Sequence, residues 1–217
     1  MNGTKFRDRS DAGRALAAAL RQYANRNDIL VLALPRGGVP VAYEVARELG
    51  APLDIFLVRK LGVPGHEEYA MGAIAEGGAI VLNRDVIQQL GIPPRAVESV
   101  IQQERAELER RAGLYRHGRA PPEVRERVVI LVDDGLATGS TMRAAAQALR
   151  MLRPARIVVA VPVAPVETCE ALRDAADEVL CLRTPEPFHA VGLWYADFAQ
   201  TLDAEVRELL EQARSAA

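Results

Sequence analysis

The sequence predicts an α/β protein of three layers, in which a mainly parallel sheet carries helices on both of its faces. Apolar runs of strand length occupy residues 29–34 and 128–132, and neither run alternates with polar residues. Such runs indicate strands that are buried on both faces, as in a parallel sheet. Each is followed by a helical pattern and then by another strand-like run, at 53–58 and 157–161. Two βαβ units therefore organise the chain.

The N-terminal part predicts one helix and then the first βαβ unit. Ser10 or Asp11 is a candidate N-cap for a helix that runs to about Tyr23, with its apolar residues on one face. The elements that follow are the strand at 29–34, the loop Pro35–Gly38, the helix at 39–49 and the strand at 53–58. A crossover of this kind is right-handed.

The middle of the chain predicts a flexible lid and a long helix. Residues 59–78 are rich in glycine, histidine and charge, and we expect a mobile lid there with one short strand at 71–75. Another short strand is expected at 79–82. From Arg95 to about His117 apolar residues recur at helical spacing, so most charges of that helix should be solvated.

The C-terminal part predicts the second βαβ unit and three further elements. The strand at 128–132 precedes a helix from near Gly139 to about Leu152, and the strand at 157–161 completes the unit. The further elements are a helix at 166–176, a strand at 178–182 and a helix at 203–213. The sequence shows no repeat, low-complexity tract or long linker, so we expect a single domain over 1–217.

The composition excludes several classes of protein. The 27 basic and 29 acidic residues nearly balance, so no global charge favours nucleic acid or an anionic membrane. The N-terminal stretch has no apolar segment of signal or membrane-spanning length, which favours a cytoplasmic location. Cys169 and Cys181 are too few for a disulfide framework or a metal ribbon, and we expect plain burial of both in a reduced compartment.

The segment from Val128 to Thr141 carries the most specific chemical signal of the chain. It places Asp133 and Asp134 at the carboxyl end of a buried strand, before a turn of small residues and a helix that begins near Gly139. Open α/β sheets bind ligands at this edge. A helix start offers unpaired N–H groups to a phosphate, and ionised carboxylates accept hydrogen bonds from vicinal hydroxyls. A ribose 5-phosphate satisfies both halves of the segment.

Each of these features alone would also fit an ordinary turn and helix cap. The whole string DDGLATGST resembles the signature of type I phosphoribosyltransferases: an apolar strand, two acids, two variable residues and an Ala/Thr/Asp-Thr-Gly-Gly/Ser-Thr run. The resemblance, which spans about 29–198, implies the fold of that family and binding of 5-phosphoribosyl 1-diphosphate with Mg²⁺. It implies that Asp133 and Asp134 act in catalysis, hold the ribose hydroxyls, and bind the metal directly or through water. The 5-phosphate is then held by Ala137, Thr138, Gly139, Ser140 and Thr141.

An earlier loop matches the position that binds diphosphate in this family. Arg36, Gly37 and Gly38 lie between the first strand and its helix, where relatives hold the diphosphate through backbone amides. The two glycines permit that close approach. Relatives often carry a non-proline cis peptide in this loop, so we expect one between Pro35 and Arg36.

Two basic residues begin the lid. Arg59 and Lys60 resemble the basic residues that lead into the lid of family members, and Lys60 is assigned to the diphosphate as well. Fixed cations beside a departing diphosphate stabilise the charge that grows as the glycosidic bond breaks, so we assign both residues to catalysis. Four lid residues either close over the substrate or are simply solvated: His66, Glu67, Glu68 and Tyr69.

Residues 183–200 hold the single tryptophan and the densest aromatic cluster, and we expect them to form a hood over the acceptor. The segment distantly resembles the hood of hypoxanthine-guanine enzymes, so we assign Trp194 and Phe188 to stacking on the base, with simple packing as the alternative. In those enzymes an aspartate that assists magnesium lies four positions after a glycine, whereas here Asp197 lies five positions after Gly192. Ala137 stands where those enzymes carry a third acid that accepts a purine proton, so the acceptor and any general base stay open.

The resemblance implies transfer of the phosphoribosyl group from 5-phosphoribosyl 1-diphosphate to a nitrogenous base or similar nucleophile, with release of diphosphate. Nucleotide salvage is the corresponding role, Mg²⁺ is the cofactor, and homodimers are common in the family. The expected partners are the sugar diphosphate and a small-molecule acceptor, without nucleic acid or membrane.

Two other functions compete with transfer. The first is a non-catalytic sensor that binds the same sugar diphosphate and needs a nucleic-acid surface or a partner. Arginines on the helix that begins at Arg95 offer a weak patch, but interleaved glutamates argue against it. The second is another phosphate-ester binder or hydrolase on a nucleotide-type α/β fold. The sequence argues against it, because it lacks the Gly-Lys-Ser/Thr ending that a P-loop needs.

Overall fold

The computed structural model describes residues 5–116 and 118–215, apart from the side chain of Glu68. Its larger sheet is parallel and consists of β1 (Ile29–Ala33), β2 (Leu53–Ile55), β6 (Val128–Val132), β7 (Arg156–Val163) and β8 (Glu178–Arg183). The spatial order of these strands is β2–β1–β6–β7–β8. A smaller antiparallel sheet consists of β3 (Val58–Val63), β4 (His66–Ala75) and β5 (Ile80–Leu82).

Helices and short 3₁₀ turns connect the strands. The α-helices are α1 (Arg9–Ala19), α2 (Gly38–Leu49), α3 (Arg84–Gln89), α4 (Pro94–Arg116), α5 (Ser140–Met151), α6 (Val166–Leu172) and α7 (Asp203–Ser215). The 3₁₀ turns lie at Arg21–Tyr23, Glu76–Gly78 and Val191–Trp194. None of the helices in the described part of the chain is both long enough and apolar enough to cross a membrane.

The parallel sheet is buried between two layers of helices. Every residue of β1 and β6 is buried, which accounts for their unbroken apolar sequences. Alternate residues of these strands face opposite layers: Ile29 and Val31 pack with residues of α1, α2 and α7, while Leu30 and Leu32 pack with residues of α5 and α6. The predicted three-layer α/β fold is confirmed.

The register of the sheet brings two loops to the same level. Ala33 of β1 pairs with Val132 of β6, so both strands end side by side. The backbone N of Leu34 donates to the carbonyl oxygen of Val132 at 2.9 Å, which joins the two strand ends. The loops that follow β1 and β6 therefore start next to each other.

Several element boundaries differ from the sequence prediction. Helix α1 begins at Arg9, because the side chain of Asp8 accepts a hydrogen bond from the backbone N of Asp11 and caps the helix. The short strand predicted at 71–75 is the second half of β4, but the loop predicted over the rest of 59–78 was wrong, since β3 and β4 form a hairpin there. In the sequence of this hairpin, glycines and charges obscure the alternation of buried and exposed residues that is typical of strands. Leu61 and Met71 nevertheless face inward and are fully buried. Helix α3 was not predicted, and His117 lies outside the described residues.

The expectation for the two cysteines was also wrong. Cys169 of α6 and Cys181 of β8 form a disulfide, with their Cα atoms 6.5 Å apart. Two cysteines are too few for a disulfide framework, but their number does not exclude a single disulfide. The packing of α6 against β8 brings the two side chains together. The disulfide ties α6 to the outer strand of the parallel sheet.

Candidate active site

Asp133 and Asp134 follow β6 directly at the carboxyl edge of the parallel sheet, and both are partly buried. Asp133 Oδ1 accepts a hydrogen bond from the backbone N of Asp134 at 2.9 Å. Burial and the charge of Asp134 raise the pKa of Asp133 well above its usual range. Burial also raises the pKa of Asp134. Two adjacent, partly buried carboxyl groups favour partners that donate hydrogen bonds or carry positive charge.

Arg9, the first residue of α1, supplies such a partner from a distant part of the chain. Its Nε lies 2.8 Å from Asp134 Oδ2, and the two side chains are only 12% and 14% exposed. The same guanidinium donates to the carbonyl oxygen of Ala199 at 2.6 Å. It also lies over the ring of Phe198, with 4.0 Å between Cζ and the ring centroid. Arg9 therefore opposes the effect of burial on Asp134 and lowers the pKa of that carboxyl.

The loop after the two acids ends in a helix start with exposed hydroxyl groups. Gly139 has φ +68° and precedes the first residue of α5, Ser140. Thr138, Ser140 and Thr141 are exposed, and Thr138 Oγ1 accepts from the backbone N of Ser140 at 3.4 Å. A helix N-terminus with exposed hydroxyl donors is suited to an anionic group such as a phosphate.

Helix α6 packs against this loop. Thr168 Oγ1 donates to the carbonyl oxygen of Ala137 at 2.8 Å. A Cβ built on Gly139 would lie 2.7 Å from Thr168 Cγ2, so the loop and α6 are in close contact. Because Cys169 follows Thr168, the disulfide with Cys181 holds the same part of α6 in place.

The loop after β1 packs against the two acids. The peptide bond between Pro35 and Arg36 is cis, as predicted. A Cβ built on Gly37 would overlap Asp134 Oδ2, and one built on Gly38 would lie 2.9 Å from the Cα of Asp133. Only glycine fits at these two positions without movement of the neighbouring loop.

Arg36 points toward the start of α7. Its NH1 lies 3.8 Å from Asp203 Oδ1, and both side chains are close to 40% exposed. The hydroxyl of Tyr115 donates to the same Asp203 oxygen at 2.5 Å. Burial and the bond to Asp203 raise the pKa of Tyr115 to about 12, so its hydroxyl stays protonated and donates.

Arg59 and Lys60 lie apart from these two loops. They line a cavity of about 550 Å³ between the β3–β4 turn and α4, to which neither loop contributes. Arg59 Nε lies 2.6 Å from Glu104 Oε2 on α4. The structure therefore brings Gly37 and Gly38 to the two acids, whereas the side chain of Arg36 points to Asp203 and Arg59 pairs with α4.

The two residues predicted to stack on a base occupy different settings. Trp194 packs among Phe6, Ala12 and Tyr195, and its buried Nε1 has no acceptor within the described residues. Phe188 packs against the same cluster but also lines a cavity of about 530 Å³ beyond the ends of β7 and β8. Phe188 is therefore the one of these two aromatic residues that lines this cavity.

The sequence analysis missed three residues of this site. Arg9 gave no signal because a charge at a helix start is common and its partner is distant in the sequence. Phe198 and Tyr195 belong to the aromatic segment that was singled out, but their contacts required the fold. Tyr195 donates its hydroxyl to the carbonyl oxygen of Asp134 at 2.5 Å, and burial raises its pKa.

Comparisons with known proteins agree with this arrangement. The profile of the family described as phosphoribosyl transferase domain matches residues 5–192. A protein of Mycobacterium tuberculosis (strain CDC 1551), provisionally named a phosphoribosyl transferase, is 47% identical over 208 residues. That match covers 96% of this chain and 47% of the relative, so the chain spans about half the length of the curated relatives it matches first.

Solved structures show the same fold. The crystal structure of TT1426 from Thermus thermophilus is 44% identical, with a TM-score of 0.86, and the match covers 96% of this chain and 99% of that one. The AQ2163 protein from Aquifex aeolicus shares the fold at 12% identity, with a TM-score of 0.51 over 85% of this chain and 78% of that one.

Proposed function

The chain belongs to the phosphoribosyl transferase domain family, and we propose that it moves the phosphoribosyl group from 5-phosphoribosyl 1-diphosphate to a nitrogenous base or similar nucleophile. Diphosphate is the second product. The observation that carries the proposal is the contact between the two loops, where Gly37 lies against Asp134. A diphosphate loop and a ribose loop that touch in this way place the bond to be broken at their junction.

The loop after β6 is assigned to the ribose 5-phosphate. Its exposed hydroxyls at Thr138, Ser140 and Thr141 and the start of α5 receive the phosphate. Asp133 and Asp134 accept hydrogen bonds from the ribose hydroxyls. These groups hold the sugar at its 5-phosphate and at its ring hydroxyls. Contacts at both places orient C1 without covalent chemistry.

The loop after β1 is assigned to the diphosphate. Backbone N–H groups at the start of this loop would donate to the anion, since that of Gly38 already donates to the carbonyl oxygen of Leu34, and Arg36 supplies a charge at the same loop. Arg59 and Lys60 lie on the lid, and closure of the lid would add two more cations as the leaving group gains charge. Stabilisation of that charge in the transition state is the catalytic role assigned to this chain.

The residues present fit a magnesium ion that arrives with the diphosphate. Mg²⁺ is typically held by one or two carboxylates, several waters and substrate phosphates. Asp133 and Asp134 supply two carboxylates, and the described residues contain no cluster of three or more acidic, histidine or cysteine side chains that would hold a metal alone. The ion, when bound, neutralises charge on the diphosphate.

The test is calorimetric titration of the protein with 5-phosphoribosyl 1-diphosphate and Mg²⁺, followed by an assay of diphosphate release against a panel of bases. Asp133→Asn with Asp134→Asn should abolish binding while the unfolding midpoint in urea stays high. Asp28→Asn, at an exposed site, is the matched control and should bind normally. Unchanged affinity in the double variant would overturn the assignment.

Binding and catalysis separate in the same experiment. Release of diphosphate with one base establishes the transferase and identifies its acceptor. Binding without release from any base would favour the alternative, a sensor that uses this fold to bind the sugar diphosphate.

A further inference from the structure

A second cavity lies further along α4 from the cavity lined by Arg59 and Lys60, toward the C-terminal end of that helix. It has a volume of about 330 Å³ and is lined by the end of β4 and by the C-terminal half of α4. A neighbouring cavity of about 190 Å³ shares Glu76, Gly77, Arg116 and Pro121 with it. Volumes of this size suit a small ligand. None of the lining residues belongs to the loops after β1 and β6.

A buried arginine lies where the two cavities meet. The side chain of Arg116 is only 3% exposed, and it pairs with Glu76 at 2.9 Å and with Asp54 at 3.2 Å. Its Nε is also buried but has no acceptor among the described residues. A buried N–H group without a partner is costly, and a ligand oxygen would reach this one only after a shift of the arginine side chain.

The rim of the cavity carries two further cations. Arg105 and Arg119 are exposed at its edge, and neither forms an ion pair with a residue that the structure describes. Among the lining residues Glu109 is the acid at the rim, whereas Glu76 is already paired with Arg116. The rim therefore favours a ligand with negative charge.

The walls of the cavity are largely apolar. Ile74, Leu108 and Ala112 contribute apolar surface, and glycines contribute bare main chain. A Cβ built on Gly113 would meet nothing within 4 Å, so the space beside α4 is open at that point. An apolar surface of this kind, without bulky side chains at the glycines, leaves room for a ring.

We propose that this cavity is a second ligand site, independent of the proposed phosphoribosyl site, and that it takes a small aromatic anion. The ring lies between the end of β4 and α4, and the anionic group is oriented by Arg105 and Arg119. Because the end of β4 lines the site, an occupant contacts the base of the lid.

The test uses two fluorescent probes of the same ring system. 8-Anilino-1-naphthalenesulfonate is the anion, and N-phenyl-1-naphthylamine is its uncharged counterpart. The wild-type protein should bind the sulfonate saturably and at least tenfold more tightly than the amine. Addition of 5-phosphoribosyl 1-diphosphate and Mg²⁺ should not displace it, since the two sites share no residues.

Variants connect the probe to the cavity. Gly113→Leu fills the open space and should lower sulfonate affinity at least tenfold, while Gln102→Leu adds the same side chain to an exposed part of α4 and should change nothing. Arg105→Gln with Arg119→Gln should weaken binding of the sulfonate about tenfold and leave the amine within twofold. Urea unfolding midpoints verify that each variant is folded.

Three results would overturn the inference. Sulfonate binding that does not saturate would show that no defined site exists. Unchanged affinity in folded Gly113→Leu would place the probe elsewhere. Equal losses for both probes in the double arginine variant would show an apolar pocket without selection for an anion.

Discussion

Arg9 and Asp134 form an ion pair across 125 residues of sequence, with Arg9 Nε 2.8 Å from Asp134 Oδ2. The pair joins helix α1 to the loop proposed to hold the ribose. Burial raises the pKa of Asp134, and Arg9 opposes that rise. The arginine thus favours the ionised carboxylate of Asp134, which accepts hydrogen bonds.

The first prediction removes this cation. Arg9→Met should raise the pKa values of Asp134 and its neighbour Asp133 further, so the affinity for 5-phosphoribosyl 1-diphosphate with Mg²⁺ should fall about tenfold at pH 7. The deficit should shrink at pH 9, because a higher pH favours the ionised carboxyls. Titration calorimetry at the two pH values measures it. Arg7→Met, at an exposed position, is the control, and equal deficits at both pH values would contradict the explanation.

The second prediction tests the contact between the two loops. Gly37 has φ −57°, so alanine is acceptable to the backbone, but its Cβ would overlap Asp134 Oδ2. Gly37→Ala should therefore displace one loop and weaken binding of the sugar diphosphate at least tenfold. Gly113→Ala, which meets nothing within 4 Å, should bind normally and gain about 0.5–1 kcal/mol of stability as a helical alanine. Normal binding by Gly37→Ala would show that the loop contact is not required.

The third prediction concerns the lid. Arg59 is paired with Glu104 and has to leave it before it reaches a diphosphate. A partly exposed pair of this kind is worth about 0.2–1 kcal/mol. Glu104→Gln should therefore tighten binding of the sugar diphosphate about two- to fivefold in a calorimetric titration.

Glu107→Gln provides the comparison on the same helix. Glu107 pairs with Arg110 and Arg111 rather than with the lid, so its replacement should leave affinity unchanged. Weaker binding by Glu104→Gln would mean that Glu104 positions Arg59 for the ligand instead of withholding it.

The sequence predicted the parallel sheet and the ligand-binding edge because both depend on local patterns. Strands β1 and β6 are buried throughout, so their composition identifies them without knowledge of their neighbours. The cis peptide at Pro35–Arg36 was expected from a resemblance and is present. In each case the information lies within a few consecutive residues.

The features that were missed depend on contacts between distant segments. The partner of Arg9 is set by the packing of α1 beside the sheet, and the disulfide of Cys169 and Cys181 by the packing of α6 against β8. The lid hairpin was missed for two reasons. The alternation of apolar and polar residues in β4 is interrupted by Gly72, and the pairing of β4 with β3 shifts register near Gly62. No local pattern carries such information.

The fourth prediction concerns the disulfide. Because it closes a short loop between α6 and β8, replacing both cysteines by alanine should lower the free energy of unfolding by about 3 kcal/mol. Urea unfolding of the wild-type and double variant proteins measures the loss. A thiol titration of the unfolded, unreduced wild-type protein provides the control and should find no free thiol, whereas two free thiols would refute the cross-link.

The fifth prediction follows from the buried cluster of Arg116, Asp54 and Glu76. Burial raises the pKa values of both carboxyls, and Arg116 opposes the rise. A carboxyl with a raised pKa binds protons more tightly in the folded state, so its contribution to stability is full below the unfolded pKa of about 4 and is lost as the pH rises through the folded pKa.

Arg116→Met should raise both pKa values further and extend that loss to higher pH. The free energy of unfolding should fall by about 3–5 kcal/mol at pH 8, as expected when a buried charge loses its partner, and by less at pH 5. Urea unfolding at both pH values measures the difference. Arg111→Met breaks an exposed pair with Glu107 on the same helix and should cost less than about 1 kcal/mol at either pH. An Arg116→Met loss that is equal at pH 5 and pH 8 would show that the arginine stabilises the fold by packing and not by its charge.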